Sequence, residues 1–465
     1  MRRLLPFITV IGSLIVSLLM AVGCGGGKQA EAEPADSLSL RLHDTIVVGT
    51  LYSPTSYFLY RGDQMGYHYD MIQKFAKDNH VHVEFKVMRN MAALLNLLDS
   101  AKIDIIAYNI PMTAEYKKQV RHCGVENINH QVLIQPVTDG KPRITDVTQL
   151  VGKTVVVEKG SKYESRMRNL NNELGGGIKI EAIKKDTLIS EDLIEMVAEG
   201  EIPMTVVDSD IAKLNHTYYD NIDFSLAVSF PQKSAWAVRK NDKWLASAID
   251  TWANLPDVKQ TQAELYRHYF EQSKRNVDNG KAIKGISHGA ISDYDELFKT
   301  YAKAIGWDWR LLAAQGYVES HFDPEATSWA GARGLMQLMP KTASHYGRKG
   351  ASVNDPENSV YAASRYIADL NNILKPYVKN HDERIKFILA AYNSGIAHIY
   401  DAIALAKKYG KDPTVWHDNV SEALMLKSNP EYYNDDVCRY GYFRGRQTVE
   451  YVKEVTRVYN SFMRH

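Results

Sequence analysis

The sequence predicts a multidomain chain, an α/β region of two lobes followed by an all-α domain. Three observations predict it. At 465 residues the chain exceeds what one hydrophobic core ordinarily serves, so two or three domains are expected. From Thr45 to about Phe270, short apolar β-rich runs alternate with helical patterns, which means βαβ units and mainly parallel sheets. After residue 290 the strand alternation stops and apolar residues recur at helical spacing.

In chain order, Arg2-Arg3 precede an apolar run from Leu4 to Val22, the charge-then-apolar layout of a targeting segment. Small residues then lead to a cysteine in Met20-Ala21-Val22-Gly23-Cys24. That stretch resembles a bacterial lipoprotein cleavage site, with residues 1–23 as signal peptide and Cys24 as the acylated first residue. Ala21 departs from the leucine such sites usually carry. The alternative is an uncleaved anchor, because the apolar run is long enough to span a bilayer. Residues 24–43 are rich in Gly, Glu, Ala and Pro and read as a flexible tether.

The α/β domain is expected over 44–270. Ile46–Leu51 reads as a strand, Tyr69–Lys77 as a helix, Val81–Val87 as a strand, Met91–Leu98 as a helix and Ile103–Tyr108 as a strand. Lys153–Glu158 and Met204–Asp208 repeat the strand theme farther on. Residues 271–290 are polar, contain Gly and lack a periodic apolar face, so they read as a linker. The all-α domain is expected over 291–465. Ser292 with Asp295 is a capping arrangement. Leu297, Tyr301 and Ile305 follow at helical spacing, and Gly306 is a C-cap. Asp308 can cap the next helix, whose apolar positions include Leu311, Leu312 and Val318, with Gln315 on the same stretch. Further helices fit 360–374, 384–392 and 447–462.

Composition excludes some functions. The formal net charge is +1 with no long single-sign block, which argues against a dedicated nucleic-acid binder. The 28 tyrosines suit sugar binding and suit aromatic cores equally. Cys123 and Cys438 fall in different predicted domains and are read as two unpaired thiols. No C-x-x-C, H-E-x-x-H or clustered His/Cys spacing occurs, so neither a metal site nor a cofactor is implied.

The chemistry lies in three ordered stretches. Val318-Glu319-Ser320 puts one carboxylate at a helix end. Gly331-Ala332-Arg333-Gly334-Leu335-Met336-Gln337-Leu338-Met339-Pro340 is an apolar loop with one amide, and Ala391-Tyr392-Asn393-Ser394-Gly395 follows. Breaking a glycosidic bond needs a proton on the leaving oxygen, and a carboxylic acid supplies it near neutrality when apolar burial raises its pKa. Leu311, Leu312, Val318 and the loop residues give Glu319 such neighbours.

Together these motifs resemble the lysozyme-like catalytic domain of lytic transglycosylases, which cut peptidoglycan between its alternating sugars. The resemblance implies that Glu319 is the acid and then the base. Most glycosidases add a second carboxylate. Here the C6 hydroxyl of N-acetylmuramic acid would be the nucleophile, giving a 1,6-anhydro product. By the same resemblance Ser328 contacts the muramic sugar, Gln337 holds an N-acetyl group and Met339 walls the sugar site. Tyr392 hydrogen-bonds the catalytic carboxylate with Asn393 beside it, and Tyr451 lines the cleft. Asp323 and Glu325 are read as turn residues. Two alternatives stay open: a goose-type lysozyme-like hydrolase on the same fold, and a non-catalytic glycan-binding sensor.

The α/β region resembles the extracellular (periplasmic) solute-binding proteins that capture amino acids. Ile46-Val47-Val48-Gly49-Thr50 looks like their first strand, Gly66 to Phe75 their helix entry, and Gly160-Ser161 their second-lobe ligand loop. The resemblance puts lobe one at about 45–135 plus 235–270, lobe two at about 138–232, and a ligand between them. The expected pocket residues are Thr113, Tyr116, Ser161 and Asp208. Tyr116 stands where amino-acid binders carry the arginine that forks onto the ligand carboxylate, while Asp208 matches their receptor for the amine. A muropeptide or amino-acid ligand, or a pocket retired to scaffold, all fit. The two-domain order resembles the membrane-bound lytic transglycosylase F type. It implies peptidoglycan glycan strands as substrate, a lipid anchor, and a cell-envelope location on the outer membrane facing the periplasm.

Overall fold

The computed structural model describes residues 45–138, 140–183, 190–272 and 290–464. The signal segment, the tether with Cys24, and most of the linker lie outside the described residues.

Lobe one is a five-stranded sheet in the order His82–Met88, Thr45–Leu51, Ile105–Pro111, Gln232–Arg239, Val120–Asn129. The first three strands are parallel, and the last two run antiparallel to their neighbours. Ile46, Val48, Ile105 and Ile106 are fully buried, as expected for strands covered by helices on both faces. Lobe two has the order Lys179–Ile183, Thr154–Glu158, Thr205–Asp208, Gln131–Thr138, Ile222–Asp223. The chain crosses between lobes twice, after Asn129 and again on entering Gln232–Arg239. The first crossing lies earlier than the sequence suggested, because Gln131–Thr138 pairs with Thr205–Asp208 in the second sheet. The run from 120 to 138 is β-rich on both sides of Asn129-His130, and neither Gly nor Pro marks the change of sheet there.

The second domain is helical and packs around Trp309–Ser320, whose Leu312, Ala313 and Ala314 are fully buried against Phe298, Phe387 and Val455. Its neighbour Asp295–Ile305 ends at Gly306 with φ 70°. Asp295 closes that helix's first turn by accepting from the Ser292 amide at 2.8 Å and the Ile291 amide at 2.9 Å. Asp308 caps Trp309–Ser320 by accepting from the Arg310 amide at 2.9 Å.

A short hairpin, Phe58–Tyr60 paired with Asp63–Met65, projects from lobe one onto the helical domain. Its two-residue turn, Arg61-Gly62, has φ 49° and 87°, the mirror-image geometry that matches strand twist. Asn, Asp or Gly usually fills the first position. An arginine there is strained by a cost of order 1 kcal/mol.

Candidate active site

Glu319 occupies the last turn of Trp309–Ser320. Beyond it, His321 and Phe322 both take left-handed backbone, φ 54° and 63°, and Gln337 does so at φ 47°. Three strained non-glycine residues thus gather around one carboxylate, a pattern found where structure is held for function. The Ser320 hydroxyl donates to the Leu335 carbonyl at 2.8 Å, tying the helix end to the loop.

The carboxylate is 3% exposed and its two oxygens are treated differently. Oε1 accepts from the Tyr451 hydroxyl at 2.6 Å, presented by the helix Gly445–Phe462. Oε2 accepts from Arg61 Nη2 at 3.0 Å. Arg61 also donates through Nη1 to the Gln337 carbonyl at 2.8 Å. Burial works to lower the Arg61 pKa, but Glu319 beside it outweighs burial and holds it above its ordinary value. Lys341 pairs with Asp63 at 2.8 Å, His398 Nε2 donates to the Leu59 carbonyl at 3.1 Å, and the Tyr60 ring lies 5.3 Å from that of Trp329. Gly395 sits under the turn: a Cβ there would come within 2.8 Å of the Gly62 nitrogen.

The groove beside Glu319 is thereby roofed into a cavity of about 470 Å³. Ser328, Gln337, Asn393 and Tyr451 line it. The Ser328 hydroxyl accepts from the Ala332 amide at 3.0 Å, and Asn393 Oδ1 accepts from the Thr448 hydroxyl at 2.7 Å. Gln337 Nε2 donates to the Ala326 and Gly334 carbonyls at 3.0 and 2.9 Å, so its amide nitrogen braces the loop.

Two expectations are corrected. Tyr392 does not bond the carboxylate; its hydroxyl donates to the Met336 carbonyl at 2.7 Å. It rises from the helix His381–Ser394 beneath the loop, and the loop carbonyl intercepts it. Burial, then the nearby Glu319, raise its pKa well above the usual phenol value. Tyr451 makes the bond assigned to Tyr392. Met339 is not a wall of the cavity: it heads the short helix Pro340–Tyr346 and is buried.

Asp323 Oδ1 accepts from the Glu325 amide at 2.9 Å, as a turn residue does. Of the other carboxylates on the cavity rim, Glu454 is forked by Arg457 at 2.7 and 2.5 Å and Glu450 pairs with Lys453 at 3.1 Å.

In the α/β domain, Ser161 caps the helix Lys162–Glu173 by accepting from the Glu164 amide at 3.1 Å. Asp208, matched by sequence to an amine receptor, is already ion-paired with Lys162. Thr113 is exposed and accepts from the Tyr116 amide at 3.4 Å; these two lie in lobe one, whereas Ser161 and Asp208 lie in lobe two. Cys123 and Cys438 are buried free thiols. Among the described residues no cluster of three or more His, Cys, Asp or Glu is placed to hold a metal.

Sequence reasoning missed Arg61. The signal for it was local: an arginine at a tight turn position that favours Asn, Asp or Gly, in Tyr60-Arg61-Gly62-Asp63.

A buried carboxylate held between a phenol and a guanidinium in a sugar-sized groove, on a helical domain joined to a two-lobed α/β domain, defines the class: a glycan-cleaving domain carried with a solute-binding-type domain. Residues 296–415 match the model of the transglycosylase SLT domain. Residues 45–272 match that of bacterial extracellular solute-binding proteins, family 3. The membrane-bound lytic murein transglycosylase F of Desulfosudis oleivorans is 32% identical over 462 residues, covering 99% of this chain and 98% of that protein. The protein of that name from Aeromonas hydrophila is 32% identical, covering 99% and 90%, and the one from Pseudomonas fluorescens 32%, covering 89% and 83%. The chain belongs to the membrane-bound lytic murein transglycosylase F family.

Proposed function

We propose that the chain cleaves the β-1,4 bond between N-acetylmuramic acid and N-acetylglucosamine in peptidoglycan, leaving a 1,6-anhydromuramic end. The observation that carries this is the division of labour at Glu319. Tyr451 fixes Oε1, so Oε2 is the oxygen left to face the scissile bond. Glu319 first delivers its proton to the leaving glycosidic oxygen. As a carboxylate it then takes the proton from the muramic C6 hydroxyl, whose oxygen closes onto the anomeric carbon. The proton count balances without water. The engagement of the other cavity carboxylates with basic neighbours, Glu195 with Arg446, Glu450 with Lys453 and Glu454 with Arg457, supports a one-carboxylate route. Ser328, Gln337 and Asn393 are read as sugar contacts.

The same reading makes the described arrangement a self-blocked one. An ion-paired carboxylate has no proton to give, and the Arg61 guanidinium stands where the leaving oxygen has to come. Turnover therefore requires the hairpin to withdraw, and a ligand that repositions the lobes supplies a means. The pairing of Asp208 with Lys162 argues against a free amino acid as that ligand and leaves a muropeptide.

We further propose attachment to the envelope through lipid on Cys24, at the outer membrane. The relatives are named membrane-bound, and the cysteine after the apolar run is the group that would carry the lipid. The deciding experiment is mass spectrometry of purified sacculi digested by the full chain. Anhydromuramic products that vanish with Glu319→Gln are expected. Reducing muramic ends would point to the hydrolase instead, and no cleavage to the glycan-binding sensor.

A further inference from the structure

The helix Trp309–Ser320 is buried along most of its length. Leu311, Leu312, Ala313, Ala314 and Gly316 are all buried. Gly316 is packed so closely that a Cβ there would come within 2.9 Å of the Phe298 ring and 3.2 Å of the Met336 sulfur. In the midst of this apolar stretch, where an apolar side chain would suit the core, the chain carries Gln315. Gln315 is 0% exposed, and neither Oε1 nor Nε2 of its amide has a hydrogen-bond partner. Among the described residues it is the one buried side chain with two orphaned polar atoms. A buried amide with both ends unmet is a standing cost to the fold, and a change to methionine or leucine would remove it.

The position of Gln315 gives the amide a use. It precedes Glu319 by four residues, so the two share one helix face, with Cβ atoms about 5–6 Å apart. Helical side chains lean toward the helix N-terminus, so the Glu319 side chain leans over the turn that carries the amide.

The titratable and charged groups that face Glu319 are Arg61 from the hairpin, Tyr392 from His381–Ser394 and Tyr451 from Gly445–Phe462. All three are committed. Tyr451 and Arg61 bond the two carboxylate oxygens. Tyr392, whose pKa burial and then Glu319 raise, spends its hydroxyl on the Met336 carbonyl. With both oxygens filled, the resting carboxylate has no call on the amide. A guanidinium brings a full charge that keeps the carboxyl ionised. Glutamine Nε2 donates without charge, so it can steady a carboxylate and still let it be reprotonated.

We propose that Gln315 is a positioning residue for Glu319: during turnover Nε2 donates to the carboxylate left when the proton has gone to the glycosidic oxygen, and releases it when the muramic C6 hydroxyl returns a proton. The proposal rests on the reading of Glu319 as the acid and then the base. A donor that favours the ionised form makes Glu319 a stronger acid and meets negative charge where it develops.

The test replaces the amide with apolar side chains of similar size, Gln315→Met and Gln315→Leu, in the full chain. It follows the melting midpoint and the pH dependence of kcat on purified sacculi. Removing an orphaned amide from the core should leave the midpoint unchanged or higher. The kcat should nevertheless fall about tenfold, the scale of one hydrogen bond to a charged group. Its alkaline limb, which reports Glu319 in the substrate complex, should move up by about one pH unit, because the ionised form has lost a donor. A kcat and a limb like those of wild type, at a midpoint kept or raised, overturn the proposal and leave the amide a passenger in the core. A fall in kcat with an unmoved limb also overturns it, as the mark of a packing fault. If one variant does not fold, the other decides alone; if neither folds, the amide serves the fold and the proposal fails. A failure of the Glu319 reading is recognised separately, as sacculus products that persist in Glu319→Gln.

Discussion

The α/β domain and the helical domain meet at two places, in contrasting ways. The helical groove receives a two-residue turn and one guanidinium, aimed at a single oxygen. Farther along, the helical domain meets the α/β domain through Arg444 over the Tyr218 ring, the ion pairs Arg89–Asp436 and Arg446–Glu195, and a bond from Tyr52 to the Arg439 carbonyl. A plug that works at one atom is removed by one substitution. An attachment spread over many modest contacts gives way only in steps, because exposed ion pairs contribute little each, about 0.2–1 kcal/mol.

The contrast breaks most completely at Glu319. Glu319→Gln should lower sacculus turnover by about a thousandfold, the usual scale of a general acid, with no loss of melting temperature; turnover within tenfold of wild type would remove the acid from the mechanism.

The next largest effect belongs to the α/β side. His68 accepts from the Trp236 indole through Nδ1 at 2.8 Å. Burial, partly countered by a hydrogen bond with Asn109, pushes its pKa down to about 4. Its folded value thus lies below the unfolded one of about 6.5. The stability it contributes is complete above pH 6.5 and is lost as pH falls toward 4, on the order of 3 kcal/mol in all. Urea midpoints measured across that window should fall more steeply for wild type than for His68→Asn, whose amide oxygen can take the place of Nδ1. Parallel curves would rule His68 out as the titrating group.

Tyr451→Phe removes the hydrogen bond that orients the carboxylate and should cut kcat by roughly tenfold, the worth of a bond to a charged group, while KM holds; a change confined to KM would make Tyr451 a sugar contact instead. The smallest change sharpens the comparison instead of breaking it. Arg61→Ala should raise the initial rate on sacculi several-fold, since it removes the guanidinium that occupies Glu319 Oε2. A slower enzyme would mean that the guanidinium assists the reaction.

Much of the fold was legible. Period-two and helical spacings distinguish the two domains because each buries its own core. That Glu319, the loop 331–340 and Asn393 belong to one place was legible because they fall in short contiguous motifs, and the structure sets Glu319, Gln337 and Asn393 around one cavity. The exchange of roles between Tyr392 and Tyr451 was not, since which phenol reaches the carboxylate depends on how two helices pack across the loop. Arg61 lies 258 positions from its partner; its turn position marks it locally as unusual, but nothing local says which group it meets. The pairing of Lys162 with Asp208 was half legible: the lysine follows Ser161 directly, but only the folded lobe brings it to the aspartate.

The roof over the groove has a practical consequence for finding inhibitors. A small molecule screened against the resting enzyme competes with a guanidinium that the protein supplies itself, so its apparent dissociation constant is the intrinsic one divided by the open fraction. Were one molecule in a hundred open, a nanomolar compound would register near 0.1 micromolar. Libraries assayed on Arg61→Ala would escape that penalty, and hits that improve most on the variant would be those aimed at the carboxylate.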